Sequence, residues 1–292
     1  MGKILVCPES AYVDGDTLVI PSNWQDVWDG WEVDPSKYFT IRGSTPITLK
    51  VSTYWTGVWH AWEGEIEYFD FNSSTWKVWG GELISSAPAN SLVLRGSRNT
   101  RLCNEIYNGS AWQYQSWVIG GDDIDCSGSN IEYLLDYETV NNGQSPTKDW
   151  GTYISMFQGS NIVYPPIIPS ITENYQCWGM FKDCKKLKAM PTIHIVGKPE
   201  TACKGMFEGC TALEILDQMD GELKYDGFMD MFKGCSKLKF SETQDETYTN
   251  EFLWNVKGVA TDAFAGTGGT FTGTPVYGTT YYTSNSISGI VE

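Results

Sequence analysis

The stretch Cys177-Trp-Gly-Met-Phe-Lys-Asp-Cys-Lys-Lys-Leu187 decides the fold of this 292-residue chain, because its pattern recurs along the sequence. A Met-Phe dipeptide occurs four times, with phenylalanines 24, 26 and 25 residues apart: Met156-Phe157, Met180-Phe181, Met206-Phe207 and Met231-Phe232. The third residue after each phenylalanine is small: Ser160, Cys184, Cys210 or Cys235. An apolar residue follows three positions later: Val163, Leu187, Leu213 or Leu238. The four units are therefore in register.

A fixed period of about 25 residues with recurring apolar positions is typical of a solenoid. One such unit cannot bury its own hydrophobic face, so equivalent side chains of successive units are expected to form buried ladders. Each unit is predicted to contain a short helix at Met-Phe, a turn at the glycine before the cysteine (Gly209, Gly234) and a strand entered near the leucine. Phe264, in Ala263-Phe-Ala-Gly-Thr267, is interpreted as a degenerate last copy.

Strand signals dominate the sequence before the repeats. The chain has 30 glycines and 13 tryptophans, and only 19% of its residues are charged, which is typical of a β-rich, turn-rich protein. Strands are predicted at 47–51, 66–71, 75–79, 91–96 and 112–118. The second and third flank Asn72-Ser73-Ser74 and predict a hairpin. Because such strands bury one face against a second sheet, a small antiparallel sandwich is expected.

The predicted fold class is α+β, mainly β, with an N-terminal β-sandwich-like domain, a short solenoid and a β-rich C-terminal cap. The expected divisions are an N-terminal anchoring segment at 1–40, the β-sandwich-like domain at 41–130, the solenoid at 131–250 and a Gly/Thr/Tyr-rich cap at 251–292. In the first segment, residues 17–20 favour a short strand. Trp24, Trp28 and Trp31 share one face of a predicted helical turn, which either faces the core or docks on a larger partner.

The charge, the apolar run lengths and the histidine count of the chain argue against several classes of function. Thirty-six acidic and 20 basic residues give a net charge of −16, whereas nucleic-acid binding needs a basic surface. No apolar run approaches the roughly 18 residues of a membrane-spanning helix, so no membrane insertion is expected. The two histidines, His60 and His194, leave little basis for histidine-centred catalysis. An enzyme is therefore not expected, and no catalytic, cofactor-binding or metal-binding residue is assigned.

The first residues lack the pattern of an export signal, which needs an apolar stretch of about 7–15 residues. Lys3 is followed by only four apolar residues, 4–7, before Pro8 and Glu9. Leu5-Val6-Cys7 is similar to a lipoprotein site, but the preceding hydrophobic stretch is missing. The expectation is a protein that stays in the cytoplasm or leaves by another route. A chain whose leader had been removed would look the same.

The cysteines offer zinc binding as an alternative to a packing role. Cys177, Cys184, Cys203 and Cys210 form two Cys-x6-Cys pairs. Structural zinc pairs usually lie two to four residues apart. The thiols are therefore interpreted as small buried side chains.

Two carboxylate clusters and a glycine-rich segment have more than one interpretation. Asp122, Asp123 and Asp125 offer oxygen ligands for Ca²⁺, but the rest of an EF-hand loop is missing, which favours a turn. Acids at 63, 65 and 67 alternate on a strand, which favours a solvated face over paired catalytic acids. Gly266-Thr-Gly-Gly lacks the Lys-Ser/Thr of a phosphate loop and is expected to belong to the cap.

Aromatic side chains around His60 form the strongest ligand-binding candidate in the sequence. Tyr54, Trp55, Trp59 and Trp62 supply flat rings that suit stacking on sugar rings. Strand alternation puts Tyr54 and Trp62 on one face and Trp55 and Trp59 on the other, so at least one pair is expected in the core. No binding residue is assigned among them.

The Cys-x-x-Met-Phe-x-x-Cys-x-x-Leu pattern at 177–187 resembles the BspA-like leucine-rich repeats, which are common in surface proteins of gut Bacteroidetes and their phages. Leu92-Val-Leu-Arg-Gly-Ser-Arg-Asn99 is similar to the strand that precedes such repeats, and residues 264–275 resemble the tail that follows them. The resemblance covers roughly residues 90–285. Here the repeats are few, and the usual Pro-Ala-Leu-Pro spacer is reduced to fragments such as Ala189-Met-Pro191, which disfavours extensive wrapping of a ligand.

The resemblance implies recognition or display without catalysis. A phage virion structural protein, similar to the head fibres and capsid decorations of crAss-like phages, needs no export signal. The expected protein is therefore a virion component, made in the host cytoplasm, whose first segment contacts other virion proteins while the repeats project for host-surface or glycan attachment. A homo-oligomer is expected, because virion positions are symmetric. The alternative is a secreted or surface-anchored BspA-like bacterial adhesin at the cell surface.

Overall fold

The computed structural model describes residues 12–14, 17–19, 34–52, 62, 64–85, 90–103, 105–107 and 112–288. Within these ranges the protein is mainly β with one α-helix, in agreement with the predicted α+β, mainly β class. No helix in this described part has both the length and the apolarity that a membrane crossing requires. The predicted tryptophan stripe at 24–31 lies outside the described residues.

Short strands make up most of the regular structure. Those before the helix are β1 (Tyr12–Asp14), β2 (Thr17–Val19), β3 (Phe39–Arg42), β4 (Thr48–Val51), β5 (Glu65–Asp70), β6 (Thr75–Val78), β7 (Ile84–Ser85), β8 (Ser91–Ser97), β9 (Glu105–Tyr107), β10 (Trp112–Tyr114), β11 (Trp117–Gly120) and β12 (Ile124–Asp125). The helix is α1 (Tyr133–Asn141). It is followed by β13 (Ile162–Tyr164), β14 (Ile193–His194), β15 (Ile215–Leu216), β16 (Met219–Glu222), β17 (Phe240–Ser241), β18 (Asn250–Trp254), β19 (Val256–Lys257), β20 (Thr279–Thr283) and β21 (Ser286–Ile287).

Two sheets of the amino-terminal half share one core. The larger has the strand order β13-β12-β3-β8-β5-β6, and the smaller has the order β11-β4-β7. Buried side chains of both sheets belong to one cluster, in which the ring centroids of Trp79 and Trp117 lie 4.9 Å apart. The predicted hairpin is confirmed, because β5 and β6 pair antiparallel around the turn at residues 71–74.

A glycine and an asparagine join β8 to α1. The backbone of Leu134 approaches Gly96 so closely that a Cβ atom there would lie 1.7 Å from the Leu134 carbonyl oxygen. The buried Asn99 side chain donates hydrogen bonds to the carbonyls of Glu65 and Leu134, at 2.9 and 3.1 Å, and accepts one from the Gly64 amide at 2.9 Å. The Arg-Gly-Ser-Arg-Asn motif thus has a physical role: it lets the helix contact the strand directly.

The Met-Phe segments are chains of turns, so the predicted short helices are wrong. Residues 150–159, 174–183, 202–209 and 227–234 consist of consecutive turns. The Phe157 amide donates to the Met180 carbonyl of the next unit at 2.9 Å, whereas the Gln158 amide closes a turn on Ser155 at 3.1 Å. In an α-helix every amide would bond four residues back. Here alternate amides point to the neighbouring unit, because residues such as Ser155 (φ 50°) and Asp183 (φ 59°) adopt left-handed conformations.

The recurring phenylalanines form a continuous buried column, as the repeat predicts. Ring centroids are 5.7 Å apart between Phe157 and Phe181, 5.7 Å between Phe181 and Phe207, and 5.5 Å between Phe207 and Phe232. The last two pairs are nearly parallel, at 1° and 7°, and all four side chains are fully buried. Such distances lie within the favourable range for stacked aromatic rings.

A second column runs beside the phenylalanines. The Cys184 thiol donates to the carbonyl of Phe157 in the preceding unit at 2.9 Å, and Cys210 and Cys235 repeat this bond to Phe181 and Phe207 at 3.0 Å each. Ser160 starts the column with a bond from its hydroxyl to the Trp117 carbonyl. Burial raises the pKa of Cys184 to about 12 and raises the pKa values of the other two thiols as well.

This column predicts unreactive thiols in the native protein. Because the thiolate is the nucleophile, burial and a raised pKa both suppress alkylation at pH 8. In a Cys7→Ser background, which removes the one cysteine outside the described residues, we expect native thiols to react at least about a hundredfold more slowly than the same thiols in urea. Mass spectrometry after a timed pulse of iodoacetamide measures this ratio; rapid native labelling of Cys210 would contradict the buried column.

The carboxyl-terminal residues close the last unit. Strands β17, β20 and β18 form an antiparallel sheet. The Phe264 ring lies 4.0 Å from that of Phe240 and 5.6 Å from that of Tyr281, between centroids. A Cβ atom on Gly269 would lie 2.1 Å from the Phe240 carbonyl oxygen. The glycine-rich segment is therefore needed for close packing on the preceding unit.

Two of the predicted divisions fall inside strands. Phe39 and Thr40 are buried in β3, so the sheet begins before residue 41. Asn250 begins β18 and lies opposite Thr283 of β20, so the terminal sheet begins before residue 251. One buried hydrophobic cluster extends from Phe39 to Tyr281, through both sheets and all of the repeats. The division into separate domains stays a prediction.

Candidate functional site

An open cleft of about 660 Å³ lies where the smaller amino-terminal sheet meets the turn segments. One wall is formed by residues of β10 and β11 and by Ser52, which follows β4. The other wall comes from the turns of three successive units. Its floor and walls carry hydroxyl, amide, charged and aromatic side chains, among them Ser52, Tyr114, Gln158, Trp178, Lys182 and Glu208. The cleft thus combines flat apolar surface with hydrogen-bonding groups.

Four aromatic side chains, which we call the aromatic row, run from the cleft across the turns: Tyr114, Trp178, Tyr175 and Trp150. Successive ring centroids lie 5.7, 5.8 and 6.2 Å apart. The corresponding interplanar angles are 60°, 39° and 80°. Trp150 is 39% exposed, and the other three are half-buried. The row therefore presents apolar ring surface to solvent.

The turn segments hold the row in place through their backbone. The Tyr175 amide donates to the backbone carbonyl of Glu200 in the next unit at 2.8 Å. The Trp178 carbonyl accepts from the Ser155 amide of the preceding unit at 2.8 Å. Tyr175 itself has a left-handed backbone, with φ 59°. Because both sides of this segment are bonded to neighbouring units, the two rings are preorganised, which reduces the entropy lost when a ligand binds.

Charged groups flank the rings. The Arg101 guanidinium carbon lies 4.0 Å from the Trp150 ring centroid, and the Lys204 ammonium nitrogen lies 5.8 Å from that of Trp178. Lys204 is also paired with Asp226 at 3.2 Å. Within the cleft, the Lys182 ammonium and the Glu208 carboxylate form an ion pair at 2.7 Å, with both side chains about one-third exposed.

This arrangement suits recognition of a ligand with flat apolar faces and hydroxyl groups at its edges. The rings offer stacking surface, while Gln158, Glu208 and Lys182 offer acceptors and donors around it. A pyranose ring has both features. Aromatic surface with a few convergent polar groups is typical of a small-molecule or glycan site.

The aromatic candidate from the sequence lies elsewhere. Trp62 is only 5% exposed, and its ring contacts Trp79 at 5.2 Å and Trp117 at 5.5 Å between centroids. It is therefore a core residue, in line with the expectation that one pair would be buried. The other members, Tyr54, Trp55, Trp59 and His60, lie outside the described residues.

The aspartate cluster forms a turn with local partners. Asp122 pairs with Lys186 at 2.9 Å, Asp123 accepts a hydrogen bond from the Ser44 hydroxyl at 2.7 Å, and Asp125 accepts one from the Ser127 amide at 2.7 Å. The three carboxylates therefore have separate partners, which favours the turn interpretation over Ca²⁺ binding.

The remaining metal and acid candidates also have structural partners. Glu67 pairs with Arg95 at 2.7 Å, and Glu63 lies outside the described residues. In the described ranges no group of three or more His, Cys, Asp or Glu side chains is arranged to hold a metal ion. Cys177, Cys184, Cys203 and Cys210 thus do not converge on a zinc site. His194 contacts Asp220 at 2.6 Å on the surface.

One sequence feature indicates the aromatic row, but it becomes visible only when the repeat units are compared position by position. Aligned on the phenylalanines, Tyr175 and Trp178 occupy the positions of Thr201 and Lys204 in the following unit. An aromatic pair at positions where a neighbouring unit carries polar residues indicates surface function. Tyr114 and Trp150 join this pair only through the fold.

The chain has no match among protein-family models, curated proteins or solved structures. The function is therefore inferred from the residues of the chain itself.

Proposed function

We propose that this protein is a non-enzymatic phage virion structural protein, a head fibre or capsid decoration, that displays its repeats for attachment to a host-surface glycan. The aromatic row carries the attachment part of this proposal, because four exposed or half-buried rings follow one another beside a cleft rich in polar groups. The buried, partnered thiols and the paired cleft charges give no support to catalysis.

The proposal includes a finer architecture. A β-sandwich-like domain comes first, followed by a short solenoid of BspA-like leucine-rich repeats and its cap. The phenylalanine column, the amide ladder between units and the parallel pairing of β14 with β16 and β16 with β19 support a stacked-repeat arrangement. Stacking leaves one side of every unit exposed along the array, and the aromatic row lies on the turn side.

The proposed partners are other virion proteins, contacted through the first segment, in a homo-oligomeric arrangement set by virion symmetry. The net charge of −16 suits an outer, solvated surface and disfavours contact with the packaged genome. The alternative is a BspA-like adhesin of the bacterial surface, for which the same aromatic row serves attachment.

Mass spectrometry of purified virions and of host envelope fractions separates the two locations. A virion protein is expected at constant stoichiometry to the major capsid protein after density-gradient purification. Enrichment in the envelope of uninfected cells, with none in virions, would move the proposal to the adhesin alternative.

Attachment itself is tested with fluorescently labelled protein and host cells. Trp178→Ala is expected to reduce cell binding about tenfold or more, because truncating a tryptophan that anchors an interface costs about 2 kcal/mol or more. Tyr225→Ala is the matched control, since Tyr225 is 66% exposed and lies outside the aromatic row. Equal binding by both variants would remove the aromatic row from the attachment function.

A further inference from the structure

The spacing of the aromatic row sets the length of the ligand. Its three steps of 5.7, 5.8 and 6.2 Å are each comparable to the length of one pyranose unit in a chain. A monosaccharide would cover only part of the aromatic row. An oligosaccharide of about four units is long enough to extend along all of it.

The angles of the aromatic row set the shape of the ligand. Neighbouring ring planes are inclined by 60°, 39° and 80°, so the four rings do not form a flat platform. The flat face of an insoluble, crystalline polysaccharide needs coplanar rings to contact it. A single soluble chain can rotate at each glycosidic bond and follow the inclined rings.

The charges of the cleft set the polarity of the ligand. The charged residues lining the cleft are Lys182, Asp183 and Glu208, which together carry an excess of negative charge. Lys182 is neutralised by Glu208, and Lys204, beside the Trp178 ring, is held by Asp226. Uronate, sulfate or phosphate groups would therefore meet like charge, whereas neutral hydroxyl groups can donate to the carboxylates.

From spacing, angles and charge together we infer that the aromatic row binds a single, soluble, neutral glycan chain of about four or more hexopyranose units. This inference rests on the proposed function and specifies the chemistry of its attachment ligand. Nucleic acid, which also stacks on aromatic rings, needs available cations for its phosphates. It is disfavoured because both lysines are paired and the Nε and Nη2 atoms of Arg101, beside the Trp150 ring, are buried.

The test is isothermal titration calorimetry of the full chain with soluble oligosaccharides two to six units long, as controlled probes. Malto-, manno-, xylo- and cello-oligosaccharides represent neutral chains, oligogalacturonate and heparin fragments represent acidic chains, and insoluble cellulose and chitin are tested by sedimentation. At least one neutral series is expected to bind, with affinity rising up to about four units. Trp178→Ala should weaken that binding about tenfold or more, and Tyr225→Ala should leave it unchanged.

The other outcomes overturn the inference, and they show whether the attachment proposal is also wrong. Tryptophan-dependent binding of an acidic series, or of the insoluble polymers, would overturn it while leaving glycan attachment intact. Host-cell binding that needs Trp178 but is unchanged after periodate oxidation of cell-surface glycans would indicate a protein receptor. That result would support attachment through the aromatic row and would overturn the inference of a glycan ligand. No glycan binding together with cell binding that is insensitive to Trp178→Ala would overturn both proposals.

Discussion

Phe207→Ala is expected to lower the free energy of unfolding by about 3–5 kcal/mol, the range for truncating a buried phenylalanine. The Phe207 ring is fully buried between two nearly parallel rings, with centroid distances of 5.7 Å to Phe181 and 5.5 Å to Phe232. Its removal leaves a cavity in the middle of the column and exposes the faces of both neighbours. Neither neighbour can shift to fill it, because each is fixed by backbone bonds to adjacent units.

Urea denaturation followed by tryptophan fluorescence and by circular dichroism measures this loss. Tyr225→Ala is the control, because truncating a side chain that is 66% exposed should change stability by less than about 0.5 kcal/mol. A loss under about 1 kcal/mol for Phe207→Ala would show that the column does not hold the units together. If the variant unfolds in two steps, the first transition should belong to the units on one side of the substitution, since neighbouring units support one another.

The stacked column was predictable from the sequence, because a period of about 25 residues forces equivalent side chains onto one line. Residues such as Phe181 and Cys210 were placed correctly on this basis alone. The hairpin of β5 and β6 was equally accessible, since alternation and a polar turn are local signals. These features depend on spacing, and spacing is fully visible in a sequence.

The conformation of the Met-Phe segments was not predictable in the same way. Apolar residues near a glycine are compatible with a short helix or with consecutive turns. The choice depends on alternate amides bonding to the next unit, which is a tertiary property. Left-handed conformations at Ser155, Asp183 and Thr201 make the turns possible, and none of these residues is a glycine. Glycines such as Gly159, Gly179 and Gly205 adopt the same conformation in these segments, so the usual sequence signal for a positive φ was only partly present.

The candidate site was only half visible for a related reason. Trp62, in the cluster that was richest in aromatic residues, is a core side chain. Tyr175 and Trp178 are close in sequence, but Tyr114 and Trp150 reach them from another sheet and another unit. Aromatic density in a sequence therefore indicates packing as readily as binding, and only the fold distinguishes them.

Gly96→Ala is the second substitution with a large expected effect. The added Cβ atom would lie 1.7 Å from the Leu134 carbonyl oxygen and 2.3 Å from its carbon, both of which are backbone atoms. Since no side chain can rotate away, α1 must move off β8, and the hydrogen bond from Asn99 to Leu134 must stretch or break. We expect a loss of more than about 3 kcal/mol, beyond the usual cost of an added methyl group in a packed core. Gly80→Ala is the matched control, because the nearest atom to its Cβ is the flexible end of the Glu82 side chain.

Asn99→Ser keeps the experiment informative if Gly96→Ala does not fold. It adds no charge and supplies one hydroxyl donor in place of the two amide donations to the carbonyls of Glu65 and Leu134. Leaving buried acceptors unpaired costs about 1–3 kcal/mol each, so this variant should be folded but measurably less stable. Hydrogen exchange then gives the decisive comparison: protection should fall first in α1 and β8 and later in the repeats. Uniform loss of protection along the chain would mean that the helix-strand contact and the stacked repeats unfold as one cooperative unit. Gly96 would then stabilise the repeats as well as the sheet.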